Sequence, residues 1–234
     1  MTKKLRIVFQ GDSITDANRG RTDDPNHILG HSYAFSVGSR LSADFSEKHL
    51  EFINRAVGGD SHVELEKRWE EETLKLDPDV LSILIGTNNA RHACGVTAPW
   101  APEKVVDPRQ SIEVYENTYR NLLRRARERN PEILLILGLP FRFQSKAFSE
   151  SDNATLKAVV AERAKVVRKL AKEFDALVVD FPAALEKAIE RTGDSFYWSW
   201  DGCHVTVAGH EILAREWMRA ASERLDFLKN YKYR

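Results

Sequence analysis

Two short segments at opposite ends of the chain carry residue types that together could cleave an ester or an amide. Ser13 lies in the segment Gly11–Thr15, where its hydroxyl and backbone N–H could face a ligand. Asp201 stands three residues before His204, with a glycine between them. A carboxylate in this position can hold the imidazole tautomer and leave Nε2 free to act as a base toward a serine. Ser13, Asp201 and His204 are therefore candidate catalytic residues for acyl transfer.

Each of these segments also has a purely structural interpretation. Ser13 could simply cap the helical turn that follows it. Asp201 and His204 could form an acidic turn beside a histidine that caps a helix. The first segment is also not a nucleophile elbow of the Gly-x-Ser-x-Gly type, because Thr15 occupies the place of the second glycine. Taken one at a time, the two segments leave both interpretations open.

Two further segments could supply hydrogen-bond donors. Gly59 lies in a Gly-Gly-Asp segment (58–60), and Asn88 lies in a Gly-Thr-Asn-Asn segment (86–89). A glycine allows its backbone N–H to approach a ligand closely, because no side chain intervenes. Acyl transfer requires donors directed at the developing oxyanion, and a backbone N–H with an Asn amide can provide them. Alternatively, Asn88 could only satisfy the backbone of its own loop.

The elements that must position these residues follow from the hydrophobic pattern. Short apolar runs rich in β-branched residues recur at wide intervals, with little alternation, which is typical of parallel strands buried on both faces. The segments between them have helical spacing. This alternation predicts a layered α/β domain with right-handed crossovers. We predict strands at Leu5–Phe9, Phe52–Val57, Val80–Ile85, Ile133–Leu139 and Leu177–Phe181, and helices at about Ser32–Leu41, Val63–Leu74, Ile112–Arg129, Asn153–Phe174 and Thr206–Leu225.

Three long segments without regular patterning follow predicted strands. They are Asp16–Gly30, Arg91–Gln110 and Arg142–Asp152. Each leaves the carboxyl end of a strand, which is the edge where open parallel sheets bind ligands. Loops of this length inside a compact domain are usually functional or disordered. We therefore expect these three loops to build the rim of a pocket.

The segments resemble, in order and position, the four motif blocks of the SGNH (GDSL) hydrolases. The matching residues are Gly11–Thr15, Gly59, Gly86 with Asn88, and Asp201 with His204, and the resemblance spans about residues 5 to 220. It implies a flavodoxin-like three-layer α/β/α fold with about five parallel strands. It also implies ester hydrolysis without a cofactor or a metal ion.

The same resemblance implies a role for each matching residue. Ser13 would be the nucleophile, His204 the base and Asp201 the acid that orients it. The backbone N–H groups of Ser13 and Gly59, with the side chain of Asn88, would form the oxyanion hole.

The chain departs from the family pattern at two positions and repeats part of one block. Asn89 stands where the family usually has Asp, and Val205 stands where Pro commonly follows the histidine. Neither position carries a reacting atom. Residues 59–61 repeat the letters Gly-Asp-Ser, but the order of the blocks makes Gly59 the oxyanion residue. We therefore expect Ser61 to be a helix N-cap.

Within the family, four stretches look most like bacterial carbohydrate acetylesterases that act on acetylated xylo-oligosaccharides or similar glycans. They are Gly11–Asp16, Asn54–Asp60, Glu66–Trp69 and Leu81–Asn88. The charged first loop suits a small polar ester better than a long acyl chain. Its charged residues are Arg19, Arg21, Asp23 and Asp24.

Two other functions are alternatives to a carbohydrate acetylesterase. One is a lysophospholipase or thioesterase of the same family, and the other is a non-catalytic flavodoxin-like binding protein. The complete set of motif residues argues against a binding protein, which would not need all of them. Trp198 and Trp200 could line the acyl pocket or stack on a sugar ring, or they could be buried against neighbouring helices.

Composition excludes several other classes. The chain has 234 residues, with 35 Lys+Arg and 35 Asp+Glu, and this balance argues against a nucleic-acid-binding domain. Cys94 and Cys203 are too few for a disulfide framework. His27 and His31 are spaced like metal ligands, but neighbouring Pro and Gly disfavour a helix there, so we predict no metal site.

We expect residues 1–234 to form one domain located in the cytoplasm. The N-terminal apolar run is interrupted at Arg6 and Gln10, which makes it too short for a signal peptide. No segment reaches the length of a membrane span. The expected partner is a small ester such as an acetylated sugar, and a homo-oligomer is compatible with the sequence.

Overall fold

The five predicted strands form one parallel sheet. A computed structural model describes residues 4–22, 24–88, 90–99 and 101–232. The strand order is β2-β1-β3-β4-β5, which is the flavodoxin-like order of a doubly wound sheet. The predicted three-layer α/β fold is therefore confirmed. The strands are β1 (Arg6–Gly11), β2 (Glu51–Asn54), β3 (Val80–Leu84), β4 (Leu134–Gly138) and β5 (Leu177–Val179).

Helices cover both faces of this sheet. Along β1, Ile7 and Phe9 point into one core, and Val8 points into the other, as the period of a strand requires. This is why the strand sequences are continuously apolar. The helices are α1 (Ser13–Asp16), α2 (Tyr33–Asp44), α3 (His62–Lys67), α4 (Trp69–Glu72), α5 (Ala90–Cys94), α6 (Ile112–Arg129), α7 (Glu150–Glu173), α8 (Phe181–Thr192) and α9 (Val207–Ala221).

The two cores contain different helices. The first core takes Val37 from α2, Leu185 from α8 and Trp217 from α9. The second takes Tyr119 from α6 and Leu170 from α7, together with side chains of α3 and α4. The sheet is thus sandwiched between two helical layers, and its strands end at an edge that both layers leave open to the loops.

The order of the strands determines where a ligand can bind. β1 pairs with β2 on one side and with β3 on the other, and Gly11 at the end of β1 lies opposite Leu84. The chain therefore runs outward in both directions from β1. In open α/β sheets such a reversal opens a crevice at the carboxyl ends of the strands. The segments that follow β1, β2 and β3 all begin beside this crevice.

The predicted helix Val63–Leu74 is wrong as a continuous element. The chain forms α3, then a break at Arg68 with φ −105° and ψ 6°, then α4. The Arg68 side chain donates to Asp60 Oδ2 (2.6 Å), Gln10 Oε1 (2.8 Å) and the Arg55 carbonyl (2.6 Å). These partly buried bonds tie the break to the ends of β1 and β2 and to the turn that follows β2.

The helix α8 is absent from the sequence prediction, which extended the fifth strand to Phe181. Strand β5 ends at Val179 because Asp180 caps the next helix by accepting from the Ala183 N–H (3.1 Å). Proline occupies the first turn, and Gly193 ends the helix with φ +66°. Each of these signals is typical of a helix terminus.

Two predicted loops also contain helical residues. α5 lies at the start of the segment predicted as the loop Arg91–Gln110, and α7 begins at Glu150 because Ser149 caps it, accepting from the Asp152 N–H at 3.1 Å. Nevertheless, both segments run along the carboxyl edge of the sheet, as predicted. Within the described ranges no helix has both the length and the apolar character to cross a membrane. The single-domain interpretation stays a prediction.

A buried arginine in α7 supports the loop after β3. Arg163 is 1% exposed and donates to three main-chain carbonyls, those of Gly86 (2.9 Å), Asn88 (3.1 Å) and Gln110 (3.0 Å). Its guanidinium also lies 5.5 Å from the centre of the Tyr115 ring. Arg163 lies among the apolar residues that α7 turns toward the protein interior. It therefore holds a loop by polar contacts from inside the protein.

We expect Arg163→Met to destabilise the fold strongly. The substitution leaves three carbonyls without their donor, and the loss of such partners in the interior costs roughly 2–5 kcal/mol. The matched control is Lys165→Met on the same helix, where the side chain is 72% exposed and pairs with Glu162. Its effect on the free energy of unfolding should stay within about 0.5 kcal/mol. Urea unfolding of both variants measures the difference, and equal midpoints would contradict a supporting role for Arg163.

Candidate active site

Ser13 lies at the first turn of α1, directly after β1. Asp12, not Ser13, is the N-cap of this helix, and its carboxylate accepts from the Ile14 N–H (3.0 Å). The capping interpretation of Ser13 is therefore wrong. Gly11 is required because a Cβ there would lie 2.4 Å from the Leu84 carbonyl oxygen of the neighbouring strand. The tight turn leaves the Ser13 hydroxyl directed away from the sheet.

The structure brings Ser13, His204 and Asp201 into one hydrogen-bonded chain. Ser13 Oγ lies 2.7 Å from His204 Nε2, across 191 positions of sequence. His204 Nδ1 lies 2.6 Å from Asp201 Oδ2. The other oxygen of Asp201 accepts from the backbone N–H groups of Cys203 (3.0 Å) and His204 (2.7 Å). In this arrangement a neutral imidazole can donate to Asp201 and accept a proton from Ser13.

The turn between the acid and the histidine depends on Gly202. Its φ is +87°, a left-handed conformation that favours glycine, and a Cβ there would lie 2.5 Å from the Phe143 carbonyl oxygen. The Phe143 N–H donates to the Gly202 carbonyl (2.7 Å). The segment after β4 therefore holds the turn in place and sets the direction of the imidazole.

Hydrogen bonding shifts the pKa values of this pair in opposite directions. Burial favours the neutral form of Asp201, but bonds from His204 and from two backbone N–H groups outweigh it and lower the Asp201 pKa to about 2. The Asp201 carboxylate and the neighbouring Cys203 raise the pKa of His204 above its ordinary value, and burial opposes them. Asp201 is thus ionised at neutral pH, and it stabilises the protonated imidazole that forms when His204 accepts a proton.

The segments that carry the predicted oxyanion donors lie beside Ser13 and beside each other. Gly59 has φ +90°, and a Cβ there would touch nothing within 4 Å, so the turn exposes this position. The adjacent Gly58 lies against Ser13, since a Cβ on Gly58 would be 3.7 Å from the Ser13 Cβ. Asn88 Nδ2 donates to the Asp60 carbonyl (3.0 Å), which fixes its amide beside the same turn. One of the two amide N–H bonds remains for a ligand.

The buried Asp16 and the exposed Arg21 hold this turn, a role that sequence reasoning missed. Asp16 Oδ2 accepts from the Gly58 N–H (2.7 Å), and Arg21 donates to both oxygens of Asp16 (2.7 and 3.1 Å). Burial opposes ionisation of Asp16, but these bonds keep its pKa below the ordinary value. The sequence shows Asp16 and Arg21 as charged residues of the first loop, but it does not identify their partners.

The interpretation of the first loop as a charged surface for a polar substrate needs correction. Arg19 is 7% exposed and donates through Nε to the Ala56 carbonyl (2.7 Å), and Arg21 pairs with Asp16. Both charges support the loop, Arg19 from the interior and Arg21 from the surface, where its side chain is 51% exposed. Asp24 accepts from the exposed His27, and Asp23 lies outside the described residues.

A cavity of about 600 Å³ opens beside the imidazole. The loops after β3 and β4 line it, as expected for two of the three long loops, whereas no described residue of Asp16–Gly30 does so. Trp200 is 66% exposed, and its ring lies nearly parallel to the His204 ring, with 6.0 Å between centroids. Trp198 is instead buried in the first core. Trp200 therefore fits the interpretation as a pocket or stacking residue, and Trp198 fits the interpretation as a residue buried against helices.

Two other residues that the sequence analysis singled out, Ser61 and Val205, have structural positions. Ser61 is the N-cap of α3 with a full capping box to Glu64, as predicted. Val205 is buried, and its segment forms an isolated bridge with Ser199, while Asn89 lies outside the described residues.

Donor groups for a metal ion converge only at the hydrogen-bonded chain itself, as far as the described residues extend. Asp201, Cys203 and His204 have ligand atoms within 4.8 Å of one another. The Asp201 and His204 atoms are bonded to each other, and Cys203 Sγ lies 3.5 Å from His204 Nδ1. His27 donates instead to Asp24 at the surface. Both cysteines, Cys94 and Cys203, are free.

The chain is similar to known esterases over nearly its whole length. The sequence model of the GDSL-like lipase/acylhydrolase family matches residues 9–212. An acetylxylan esterase of Geobacillus stearothermophilus is 31% identical over 217 residues, which is 92% of each protein. The crystal structure of that esterase has a TM-score of 0.75 and 30% identity, covering 92% of this chain and 93% of its own.

A further solved structure agrees with these matches. It is a protein of Parabacteroides merdae, provisionally described as a GDSL-like lipase, with a TM-score of 0.82 and 32% identity over 94% of this chain and 97% of that one. The order of the strands, the motif residues and the similar proteins all indicate one family. This chain belongs to the GDSL-like lipase/acylhydrolase family, and it is a carboxylic ester hydrolase.

Proposed function

We propose that this protein is a serine esterase that removes acetyl groups from a carbohydrate or another small polar substrate through an acyl-enzyme. The observation that carries the proposal is the unbroken hydrogen-bonded chain from Ser13 Oγ through His204 to Asp201 at the mouth of the cavity. In this scheme Ser13 is the nucleophile, His204 the base and Asp201 the orienting acid. As expected from the sequence, we also assign the protein to the cytoplasm.

The first half of the proposed reaction forms the acyl-enzyme. Ser13 Oγ attacks the ester carbonyl carbon while His204 Nε2 takes its proton, and the carbonyl electrons move onto oxygen. The backbone N–H groups of Ser13 and Gly59 and the Asn88 amide donate to this oxyanion. The tetrahedral intermediate then collapses, the bond to the alcohol breaks, and the alcohol leaves with the proton from His204.

The second half regenerates the enzyme. A water molecule gives a proton to His204 and attacks the acyl carbon, and the same donors stabilise the second oxyanion. The Ser13–acyl bond then breaks, the carboxylic acid leaves, and the proton on His204 returns to Ser13 Oγ. Asp201 keeps one imidazole tautomer throughout, because its oxygen accepts from Nδ1 in both halves.

The proposed substrate class rests on the relatives and on the surface beside His204. The similar protein of known activity is an acetylxylan esterase. Trp200 presents an exposed ring next to the imidazole, and such a ring is a suitable platform for the apolar face of a sugar. A panel of p-nitrophenyl esters of increasing acyl length, followed by acetylated xylo-oligosaccharides, tests the class. Faster release of long acyl chains than of acetate would favour a lysophospholipase or thioesterase instead.

We expect Ser13→Ala to fold normally and to lose ester hydrolysis by several orders of magnitude, because the three residues act as a unit. The control is Ser61→Ala in the second Gly-Asp-Ser segment. Its cap to α3 is worth about 1 kcal/mol, so stability falls while most activity remains. Rates with p-nitrophenyl acetate and circular dichroism measure both effects. An inactive Ser61→Ala beside an active Ser13→Ala would reverse the assignment.

We expect Asn88→Ala to lower kcat by about 10²–10³-fold with little change in KM, since the donor acts on the oxyanion more than on the bound ester. Asn121→Ala on the exposed surface of α6 is the control, and it should leave both parameters near those of the wild type. Steady-state kinetics separate the two constants. A loss confined to KM would place Asn88 in ground-state binding.

The pH dependence follows from the raised pKa of His204. Catalysis needs the neutral imidazole, so kcat/KM falls as pH decreases through a pKa that lies above the ordinary value of about 6.5. Asp201→Asn removes the carboxylate that raises this pKa. The acid limb should therefore move to lower pH while kcat drops strongly, because the wrong tautomer is allowed. An acid limb that stays in place in Asp201→Asn would show that Asp201 does not set the His204 pKa.

A further inference from the structure

Three cations line the cavity beside His204, and no described carboxylate pairs with them. Arg91, Arg142 and Lys146 all contribute to its wall, and the acid that shares this wall, Asp201, is bonded to His204. Among the described residues none of the three cations forms an ion pair, whereas arginines elsewhere, such as Arg68 and Arg120, do. Because the whole chain has a net charge of zero, this wall is a local concentration of positive charge.

Arg142 is held in a fixed position in this wall. Its guanidinium lies over the Phe148 ring, 5.0 Å from the ring centre, and both residues line the cavity. The Arg142 Nε is buried and finds no acceptor in the part of the chain that the structure describes. A buried donor without a partner is costly, and native proteins rarely leave one unless a ligand or water completes it. The Nε atom itself is enclosed by the protein, so it marks a guanidinium whose donors the described residues do not use up, and this guanidinium belongs to a residue of the cavity wall.

Lys146 and Arg91 extend the same positive wall on either side. Lys146 lies over the ring of Phe196, 4.5 Å from its centre, and Arg91 lies in α5 behind the Asn88 loop. Aromatic faces attract cations without neutralising them. The charge of the wall therefore stays available to a molecule bound in the cavity that His204 also lines.

We infer that the natural ester carries an anionic group, a carboxylate or a phosphate, that Arg142 binds while Arg91 and Lys146 add to the field. The inference rests on the proposed function and narrows its substrate to an acetylated acidic sugar. A planar guanidinium matches two oxygens of either anion, and charge-assisted bonds of this kind are about twice as strong as neutral ones. Since the anion is not a reacting group, its binding should stabilise the bound ester and the transition state alike and so act mainly on KM.

The test compares three acetylated sugars that differ in one group. They are acetylated glucuronate, acetylated glucose 6-phosphate and acetylated glucose, and released acetate gives kcat/KM. One charge-assisted hydrogen bond corresponds to roughly 10–100-fold in affinity. We therefore expect at least one anionic sugar to exceed the neutral one by about tenfold or more, with an advantage that shrinks as NaCl increases. The comparison of the two anions identifies carboxylate or phosphate as the group.

Arg142→Gln should lower the ratio of anionic to neutral kcat/KM by about tenfold or more, chiefly through KM. The matched control is Arg219→Gln in α9, where the guanidinium pairs with Glu216 and lies outside the cavity, and this variant should keep the wild-type ratio. Lys146→Gln is a second variant of the exposed rim, with a smaller change in the same direction. It keeps the test decisive if Arg142→Gln does not fold.

The result that would overturn the inference is equal kcat/KM for anionic and neutral sugars in the wild type, or a ratio that neither cavity substitution changes. Hydrolysis that depends on Ser13 but ignores charge would leave the proposed function intact and reject only the anion site. If no ester were hydrolysed, the proposed function would fail by itself. Binding of free glucuronate and inorganic phosphate, measured by calorimetry for wild type and Lys146→Gln, would then decide the anion site independently.

Discussion

The hydrogen bond between Ser13 Oγ and His204 Nε2 joins two segments that lie 191 positions apart. Neither segment can form this contact alone, so its 2.7 Å length depends on the sheet that brings both to one edge. Gly11 lets β1 end against the Leu84 carbonyl, and Gly202 lets the acid and the histidine face each other. Substitution of either glycine would move a reacting atom by more than catalysis tolerates.

The loops around this contact are held by ionic residues in the interior rather than by apolar packing. Arg163 binds the carbonyls of the Asn88 loop, and Arg68 and Asp16 fix the Gly58–Asp60 turn. A fully satisfied polar network is rigid, because each donor has one acceptor position. This rigidity suits donors that must face an oxyanion before it forms. The cost is that loss of one member leaves its partners unsatisfied in the interior.

The sequence predicts the parts of the fold that rest on local pattern. Apolar runs located all five strands, and amphipathic spacing located the long helices, because burial on a fixed face leaves a period in the sequence. The order of four short motifs indicated Ser13, Gly59, Asn88, Asp201 and His204 as one candidate site, whose roles stay predictions. Helix α8 was missed although Asp180 and Gly193 mark its ends, since the strand before it was extended by two residues, across Asp180 to the apolar Phe181.

Other features could not be predicted because they depend on contacts between distant segments. The break at Arg68 is decided by acceptors at the ends of β1 and β2, and the inward direction of Arg19 by the Ala56 carbonyl. Arg163 sits among inward-facing apolar residues of α7, and an isolated charge in such a stripe is a signal of a buried anchor. The pattern does not reveal which carbonyls it binds.

The most direct test of the central claim is the site of covalent labelling by a serine-directed fluorophosphonate, mapped by peptide mass spectrometry. Attack of Ser13 Oγ on phosphorus displaces fluoride, and this requires the same proton acceptor as ester hydrolysis. The account predicts one stoichiometric adduct on Ser13, with labelling slowed strongly in His204→Ala. An adduct on Ser61 or another serine, or labelling of Ser13 at the same rate without His204, would contradict it.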